Sequence, residues 1–126
     1  KQKKIKFIFN NKYKTGMASS IQIGLNNLSK ETQSFFICLG DMPNINKQIY
    51  NSLIKSKNSH QIIIPTYKGQ SGNPVLFDKS MKEIIINIEG DNGAKKIINM
   101  HRDQTFFLET NDQSIIQDFN TQQSFY

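Results

Sequence analysis

Phe35-Phe36-Ile37-Cys38-Leu39-Gly40-Asp41-Met42-Pro43 is the stretch around which the chain is organised. Phe35 to Leu39 is a continuous apolar run, the pattern of a strand buried on both faces. The run stops at Gly40-Asp41. A carboxylate at the C-terminal end of a buried strand lies where open α/β sheets place their ligands. Gly40 carries no side chain and lets a ligand approach the backbone, while Pro43 prevents the strand from continuing. This arrangement predicts that Asp41 holds a divalent cation, and that the cation holds the phosphates of a nucleotide. The tripeptide Leu39-Gly40-Asp41 alone also suits an ordinary polar turn, because Gly and Asp favour turns for purely local reasons.

At 126 residues the chain is one domain or part of one. Apolar residues make up 37%, enough for a single core, with many Ile and no Trp. Cys38 is the sole cysteine, so no internal disulfide forms and a reducing, cytoplasmic compartment is expected. Its place in the apolar run predicts a small core residue. Sixteen basic residues against ten acidic give a net charge of +6. Part of the excess is local: Lys1, Lys3, Lys4, Lys6, Lys12 and Lys14 crowd the first fourteen residues, where aromatics alternate with Ile as in a strand, and they read mostly as its solvated face. The basic residues after Lys14 are dispersed and no nucleic-acid motif is present, which argues against a nucleic-acid partner. No apolar stretch approaches about 18 residues, so no membrane span is expected, and no signal peptide is visible.

In chain order, Ile5 to Phe9 predicts a first strand. Thr15-Gly16-Met17-Ala18-Ser19-Ser20 feeds a helix whose apolar face is Ile21, Leu25 and Leu28. Its first turn offers unpaired N–H groups to an anion, or is an ordinary capped start. After the central strand a helix is expected over Asn46–Lys55, with Ile49, Leu53 and Ile54 inward. Lys57 to His60 reads as a turn, and Ile62-Ile63-Ile64-Pro65 as a second buried strand. Thr66 to Asn73 is a glycine-bearing loop, either a hairpin or the lining of a pocket, and Pro74 to Phe77 resumes as a strand. Lys79 to Ile88 predicts a helix with Met81, Ile84, Ile85 and Ile88 inward. Glu89 to Ala94 is a second glycine-rich turn. Asp91 caps the next helix, Gly93 to Met100. Thr105 to Leu108 is a strand, Ile115-Ile116 a short extended piece, and Asp118-Phe119-Asn120-Thr121 follows. This alternation predicts an α/β fold with a mostly parallel sheet in a single domain, 1–126.

Four pieces in this order carry a resemblance. They are Gly16-Met17-Ala18-Ser19-Ser20 at a helix start, Leu39-Gly40-Asp41-Met42-Pro43 after a strand, the run Tyr67-Lys68-Gly69-Gln70-Ser71-Gly72-Asn73-Pro74-Val75-Leu76-Phe77, and Gly90-Asp91-Asn92-Gly93-Ala94. Together they resemble the MobA-like NTP transferases, with the molybdenum cofactor cytidylyltransferases as the nearest branch and the guanylyltransferases beside them. The resemblance implies a Rossmann-like, three-layer fold of the nucleotide-diphospho-sugar-transferase type. It implies transfer of CMP or GMP from CTP or GTP to a phosphate of molybdopterin, with Mg2+. By resemblance, Gly16, Met17, Ala18, Ser19, Ser20 and Gly40 lie on the nucleotide. Asp41 is the catalytic residue and a metal ligand, and Asn120, within Asp118-Phe119-Asn120-Thr121, is the second metal ligand. Tyr67, Gly69, Gly72, Asn73, Pro74, Gly90, Asp91 and Gly93 lie on the acceptor side.

Two departures stand out. Gln122-Gln123 occupies the place where the family usually has Pro-Glu. The family's opening signature, roughly Leu-Ala-Ala-Gly-x-Ser-x-Arg-Met-Gly, which wraps the triphosphate, is absent. The chain therefore reads as the C-terminal two-thirds of such a domain, incomplete at the N-terminus and inactive by itself. A sheet so exposed at its edges is expected to form a homodimer or to pair with the missing N-terminal segment. A non-catalytic nucleotide- or protein-binding module that retains the fold is the alternative. An acceptor phosphate is already nucleophilic, in keeping with the absence of a Ser-His-Asp or Cys-His arrangement.

Overall fold

A computed structural model describes residues 17–38, 45–87 and 93–116. The elements are α1 (Met17–Asn26), β1 (Ser34–Ile37), α2 (Lys47–Lys55), β2 (Ile62–Tyr67), β3 (Gln70–Ser71), β4 (Val75–Asp78), α3 (Lys82–Ile86), α4 (Gly93–Met100) and β5 (Thr105–Thr110). Short 3-10 turns cover Lys79–Met81, Arg102–Gln104 and Gln113–Ile116. The strand expected over Ile5–Phe9 lies outside the described residues.

The sheet is centred on β2, whose Ile62-Ile63-Ile64 run is fully buried. β-Branched side chains are stiff and suit a pleated surface, and helices cover both faces here. Ile62 and Ile64, with Val75, Phe77 and Phe35, face one layer built by Leu25 of α1, Met81, Ile85 of α3 and Ile98 of α4. Ile63 and Leu76 face the other, built by Ile49 and Leu53 of α2 and by Ile115. Alternate residues thus point to opposite cores, which is what period-two side-chain geometry requires of a doubly covered sheet. The three-layer α/β architecture is as the sequence predicts.

The sheet is mixed rather than mostly parallel. β2 pairs with β5 in parallel, from Ile62↔Thr105 to Tyr67↔Thr110. β4 lies antiparallel between β1 and β2, so β1, β2 and β5 run one way and β4 the other. The cause is local. A two-residue connection between β2 and β3 can only return the chain antiparallel. Phe35 of β1 stacks on its cross-strand partner Phe77, with ring centroids 5.5 Å apart. Cross-strand aromatic pairs of this kind strengthen the sheet.

Several expected placements are corrected. β1 ends at Ile37 and only Phe35 in it is buried, so it is not buried on both faces. Among the described residues it pairs with β4 alone, and Cys38, beyond its end, is exposed rather than in the core. In α2, Asn46 caps the helix by accepting from the Ile49 N–H at 3.2 Å. Ile49 and Leu53, four apart, are buried, while Ile54 is 53% exposed because it lies about 100° further round the helix. The helix expected from Lys79 begins as a 3-10 turn and becomes α3 at Lys82. Met81 and Ile85 face the core, Ile84 is exposed, and Ile88 lies outside the described residues. α4 has the predicted bounds.

The edge of the sheet where β1 and β2 begin is tied by Asp78. Its carboxylate accepts from Lys57 Nζ at 2.6 Å and from the Ser80 N–H at 2.9 Å, capping the 3-10 turn. Ser80 Oγ also hydrogen-bonds Gln61 Oε1. Burial alone would raise the Asp78 pKa. The bonds from Lys57 and Ser80 and the lysine charge outweigh it and hold the carboxyl at about 2, below its ordinary 3.8. A depressed carboxyl pKa contributes stability that is complete above the ordinary value and is lost as pH falls through the folded one. Asp78→Asn is therefore expected to cost about 1 kcal/mol at neutral pH. It should also flatten the loss of stability between about pH 4 and pH 2. Chemical denaturation at pH 7 and pH 3 checks this. Equal stability of the two proteins at pH 7 would contradict it.

Candidate functional site

Because β1, β2 and β5 run the same way, their C-terminal ends share one edge of the sheet with the start of β4. Open α/β sheets bind ligands at that edge. Three segments of the chain meet there.

The first is the end of β1, which leads through Cys38 towards Asp41. Cys38 Sγ lies 3.6 Å from the Tyr50 hydroxyl, and Phe36 meets the Tyr50 ring edge-on at 5.0 Å. Burial, with smaller contributions from the hydrogen bond and charge of Cys38, pushes the Tyr50 hydroxyl up to about 12. It stays protonated at neutral pH and acts as a fixed dipole.

The second is the hairpin from β2 to β4. Lys68 (φ 50°) and Gly69 (φ 81°) form its tip, and left-handed conformation at both central residues is the geometry of a type I′ turn. Tyr67 is half-buried against the α2-side core, and Lys68 Nζ lies 5.4 Å from the centre of its ring. β3 pairs in step, Tyr67↔Gln70 and Thr66↔Ser71, and the Gly72 N–H bonds Pro65 O at 2.8 Å. The ladder resumes two residues out of step, at Ile63↔Leu76. Asn73 and Pro74 are thus extruded as a bulge, the device by which sheets re-aim side chains beside sites. The Asn73–Pro74 peptide is cis.

The third is the segment after β5. The Thr110 hydroxyl donates to Thr66 O at 2.9 Å and accepts from the Asp112 N–H at 3.4 Å. Asp112 Oδ1 in turn accepts from the Ser114 N–H at 3.0 Å. This Asx-type turn winds Gln113–Ile116 into a 3-10 turn, where the Ile115-Ile116 pair suggested an extended piece. The Thr66 hydroxyl, buried between β2 and β5, donates to Glu109 Oε1 at 3.1 Å.

The second and third segments are locked together. The Asn73 N–H donates to Ile115 O at 2.9 Å. Gly72 packs so closely that a Cβ there would clash with that carbonyl oxygen and lie 2.8 Å from its carbon. Gly72, Asn73 and Pro74 are accordingly buried, whereas Gly69 is exposed at the hairpin tip. Two atoms in this junction, Asn73 Oδ1 and Ser114 Oγ, are buried with no hydrogen-bond partner. Thr66 and Ser114 escape a reading of the sequence for sites. The only trace is the spacing Thr110-x-Asp112-x-Ser114, which signals a turn rather than a site.

The other sequence-predicted residues divide as follows. Met17, Ala18, Ser19 and Ser20 form the first turn of α1, and Gly93 begins α4. Gly16, Gly40, Asp41, Gly90, Asp91 and Asn120 lie outside the described residues. Among the described residues no group of three or more His, Cys, Asp or Glu side chains could hold a metal, and no helix is long and apolar enough to cross a membrane.

The model of the MobA-like NTP transferase domain matches residues 1–105. The chain belongs to this family. Among similar proteins is a "Probable molybdenum cofactor guanylyltransferase" of Methanosarcina acetivorans, 26% identical over 87 residues, which are 69% of this chain and 38% of that protein. A protein of the same description from Methanosarcina mazei is 28% identical over 81 residues, 63% of this chain and 35% of that protein. The chain thus spans little more than a third of the length of these relatives. Solved structures share the fold, among them the following two. Rv0371c of Mycobacterium tuberculosis, in complex with manganese, has a TM-score of 0.65 at 20% identity, over 72% of this chain and 49% of that one. The 4-diphosphocytidyl-2C-methyl-D-erythritol synthase of Anaerococcus prevotii has a TM-score of 0.66 at 14% identity, over 86% of this chain and 60% of that one. In this MobA-like chain the edge just described joins the bulged hairpin to the turn that precedes Asn120.

Proposed function

We propose that the protein carrying this chain transfers a nucleotidyl group from a nucleoside triphosphate to the phosphate of a molybdopterin-type acceptor. GTP is the favoured donor, since both Methanosarcina relatives bear the description of guanylyltransferases, with CTP as the alternative. The observation that carries the reading is the meeting, at one edge of the sheet, of the end of β1, the bulged hairpin and the turn Gln113–Ile116.

Asp41 follows the end of β1 and Asn120 follows the Gln113–Ile116 turn. A carboxylate and an amide oxygen are hard donors that suit Mg2+, which keeps several waters and needs few protein ligands. Bound there, the ion would neutralise charge on the phosphates. The chain's own residues supply position. The first turn of α1, Met17 to Ser20, borders the nucleotide. The hairpin from Tyr67 to Pro74, with Gly90, Asp91 and Gly93, holds the acceptor. An oxygen of the acceptor phosphate attacks the α-phosphorus, the bond to the β-phosphate oxygen breaks, and pyrophosphate leaves. The attacking oxygen carries no proton to remove, so placement and charge neutralisation suffice.

The full protein incubated with molybdopterin, Mg2+ and either GTP or CTP is expected to release pyrophosphate in step with a molybdopterin dinucleotide, faster with GTP. Release of no pyrophosphate from either nucleotide would sink the assignment.

A further inference from the structure

Among the described residues β5 pairs with β2 alone, so it lies at an edge of the described sheet. Sheet edges are normally guarded by Lys, Pro, bulges or sheer shortness. β5 carries none of these devices. Its six residues pair with β2 without a bulge, and Thr105-Phe106-Phe107-Leu108-Glu109-Thr110 contains no Lys, Pro or Gly. At its centre Phe106 and Phe107 are 36% and 38% exposed, one on each face of the sheet.

The hydrogen bonds show which residues of β5 address the outer side. The Gln104 carbonyl, at the entry to β5, accepts from the Gln61 N–H at 2.9 Å, and the Leu108 carbonyl accepts from the Thr66 hydroxyl at 3.4 Å. The even-numbered residues thus turn their backbone groups toward β2, while Thr105, Phe107 and Glu109 turn N–H and C=O outward. An antiparallel copy of the same strand fits this row when Phe107 faces Phe107 across a two-fold axis. Thr105 of each copy then exchanges backbone bonds with Glu109 of the other. On the α2 side Phe106 of each copy lies opposite Leu108 of the other, an apolar cross-strand pair.

Charge favours the same register. Arg102 leans over Phe107, its guanidinium carbon 5.7 Å from the ring centre, and Glu109 lies on that same face by alternation. Neither Arg102 nor Glu109 has an ionic partner among the described residues. In the antiparallel pairing Glu109 of the second copy stands opposite Thr105, diagonally beside Phe107, where it meets Arg102.

We propose that the protein forms a two-fold dimer by antiparallel pairing of β5, with Arg102 of each copy paired to Glu109 of the other. The sheets of the two copies continue through the axis. Their nucleotide edges then point in opposite directions, and the pairing covers neither. The dimer is independent of which donor or acceptor the protein takes.

Light scattering of the full protein over a concentration series tests this. The unaltered protein should have twice the mass of one chain. Arg102→Glu and Glu109→Arg each bring like charges together and should weaken the dimer about tenfold. The double variant, which exchanges the charges, should recover it. Phe107→Lys, which sets two lysines face to face at the axis, should give a monomer. An unaltered protein that stays monomeric throughout would overturn the proposal and mean that another segment covers the edge. A dimer that survives Phe107→Lys and both single charge reversals would place the interface elsewhere and overturn it as well. If Phe107→Lys melts well below the unaltered protein, the charge exchange decides, and failure of the double variant to recover the dimer overturns the register.

Discussion

Gly72→Ala should unfold the protein roughly 5–15 °C below the unaltered chain. The new Cβ would meet the carbonyl of Ile115, a backbone group that no rotamer change can move aside. Relief requires the bulge and the Gln113–Ile116 turn to separate. That would strain the Asn73-to-Ile115 bond and the Gly72-to-Pro65 bond and lift Ile115 from the α2-side core. Overpacking of this kind costs about 1–3 kcal/mol. Two other glycines provide controls, because a Cβ at Gly69 or Gly24 meets nothing within 4 Å. Gly69→Ala carries only the strain of φ +81°, on the order of 1–2 kcal/mol, at the hairpin tip. Gly24→Ala, on the exposed face of α1, should stabilise by about 0.5–1 kcal/mol. Thermal melts of the three variants give the order Gly24→Ala, Gly69→Ala, Gly72→Ala from most to least stable. A Gly72→Ala protein that melts with the unaltered chain would mean that the junction is looser than described.

Asp41→Ala should abolish turnover while leaving the fold intact. If Asp41 supplies the carboxylate that holds Mg2+ on the phosphates, its removal takes that charge away. Removal of a group that stabilises transferring charge lowers kcat on the order of 10²–10³-fold. The layers on both faces of β2 are built from apolar side chains and an aspartate supplies none, so the thermal midpoint should stay within a degree or two. Steady-state pyrophosphate release and a melt of the same sample check both halves. Retained turnover would remove Asp41 from the mechanism.

The architecture was legible wherever hydrophobic period and length agreed. Ile62-Ile63-Ile64 could be read as a buried strand and Gly93–Met100 as a helix because each pattern had one stable reading. The direction of β4 was less legible. It depends on whether Lys68-Gly69 is a tight turn or part of a pocket, and that is decided by left-handed backbone angles which sequence only suggests. The Ile115-Ile116 pair looked extended because β-branched residues favour strands. Side-chain bonds from Asp112 and Thr110 overrode that preference and wound the segment into a 3-10 turn. Cys38 was misplaced because an apolar run does not say where its strand stops. Ile54 and Ile84 were misplaced because an Ile-rich helix carries more apolar residues than its core face can take. Of the candidate site, the bulged hairpin was visible through its glycines. The unpaired hydroxyl of Ser114 was not, since burial without a partner is a property of packing alone.

The most direct test of the central claim is a calorimetric titration of the full protein with GTP and with CTP, each in Mg2+ and in EDTA, beside Asp41→Ala. A MobA-like site at the shared edge of β1, β2 and β4 predicts binding, tighter for GTP, that disappears in EDTA and in the variant. Binding that is equal with and without the metal, or unaffected by Asp41→Ala, would contradict it.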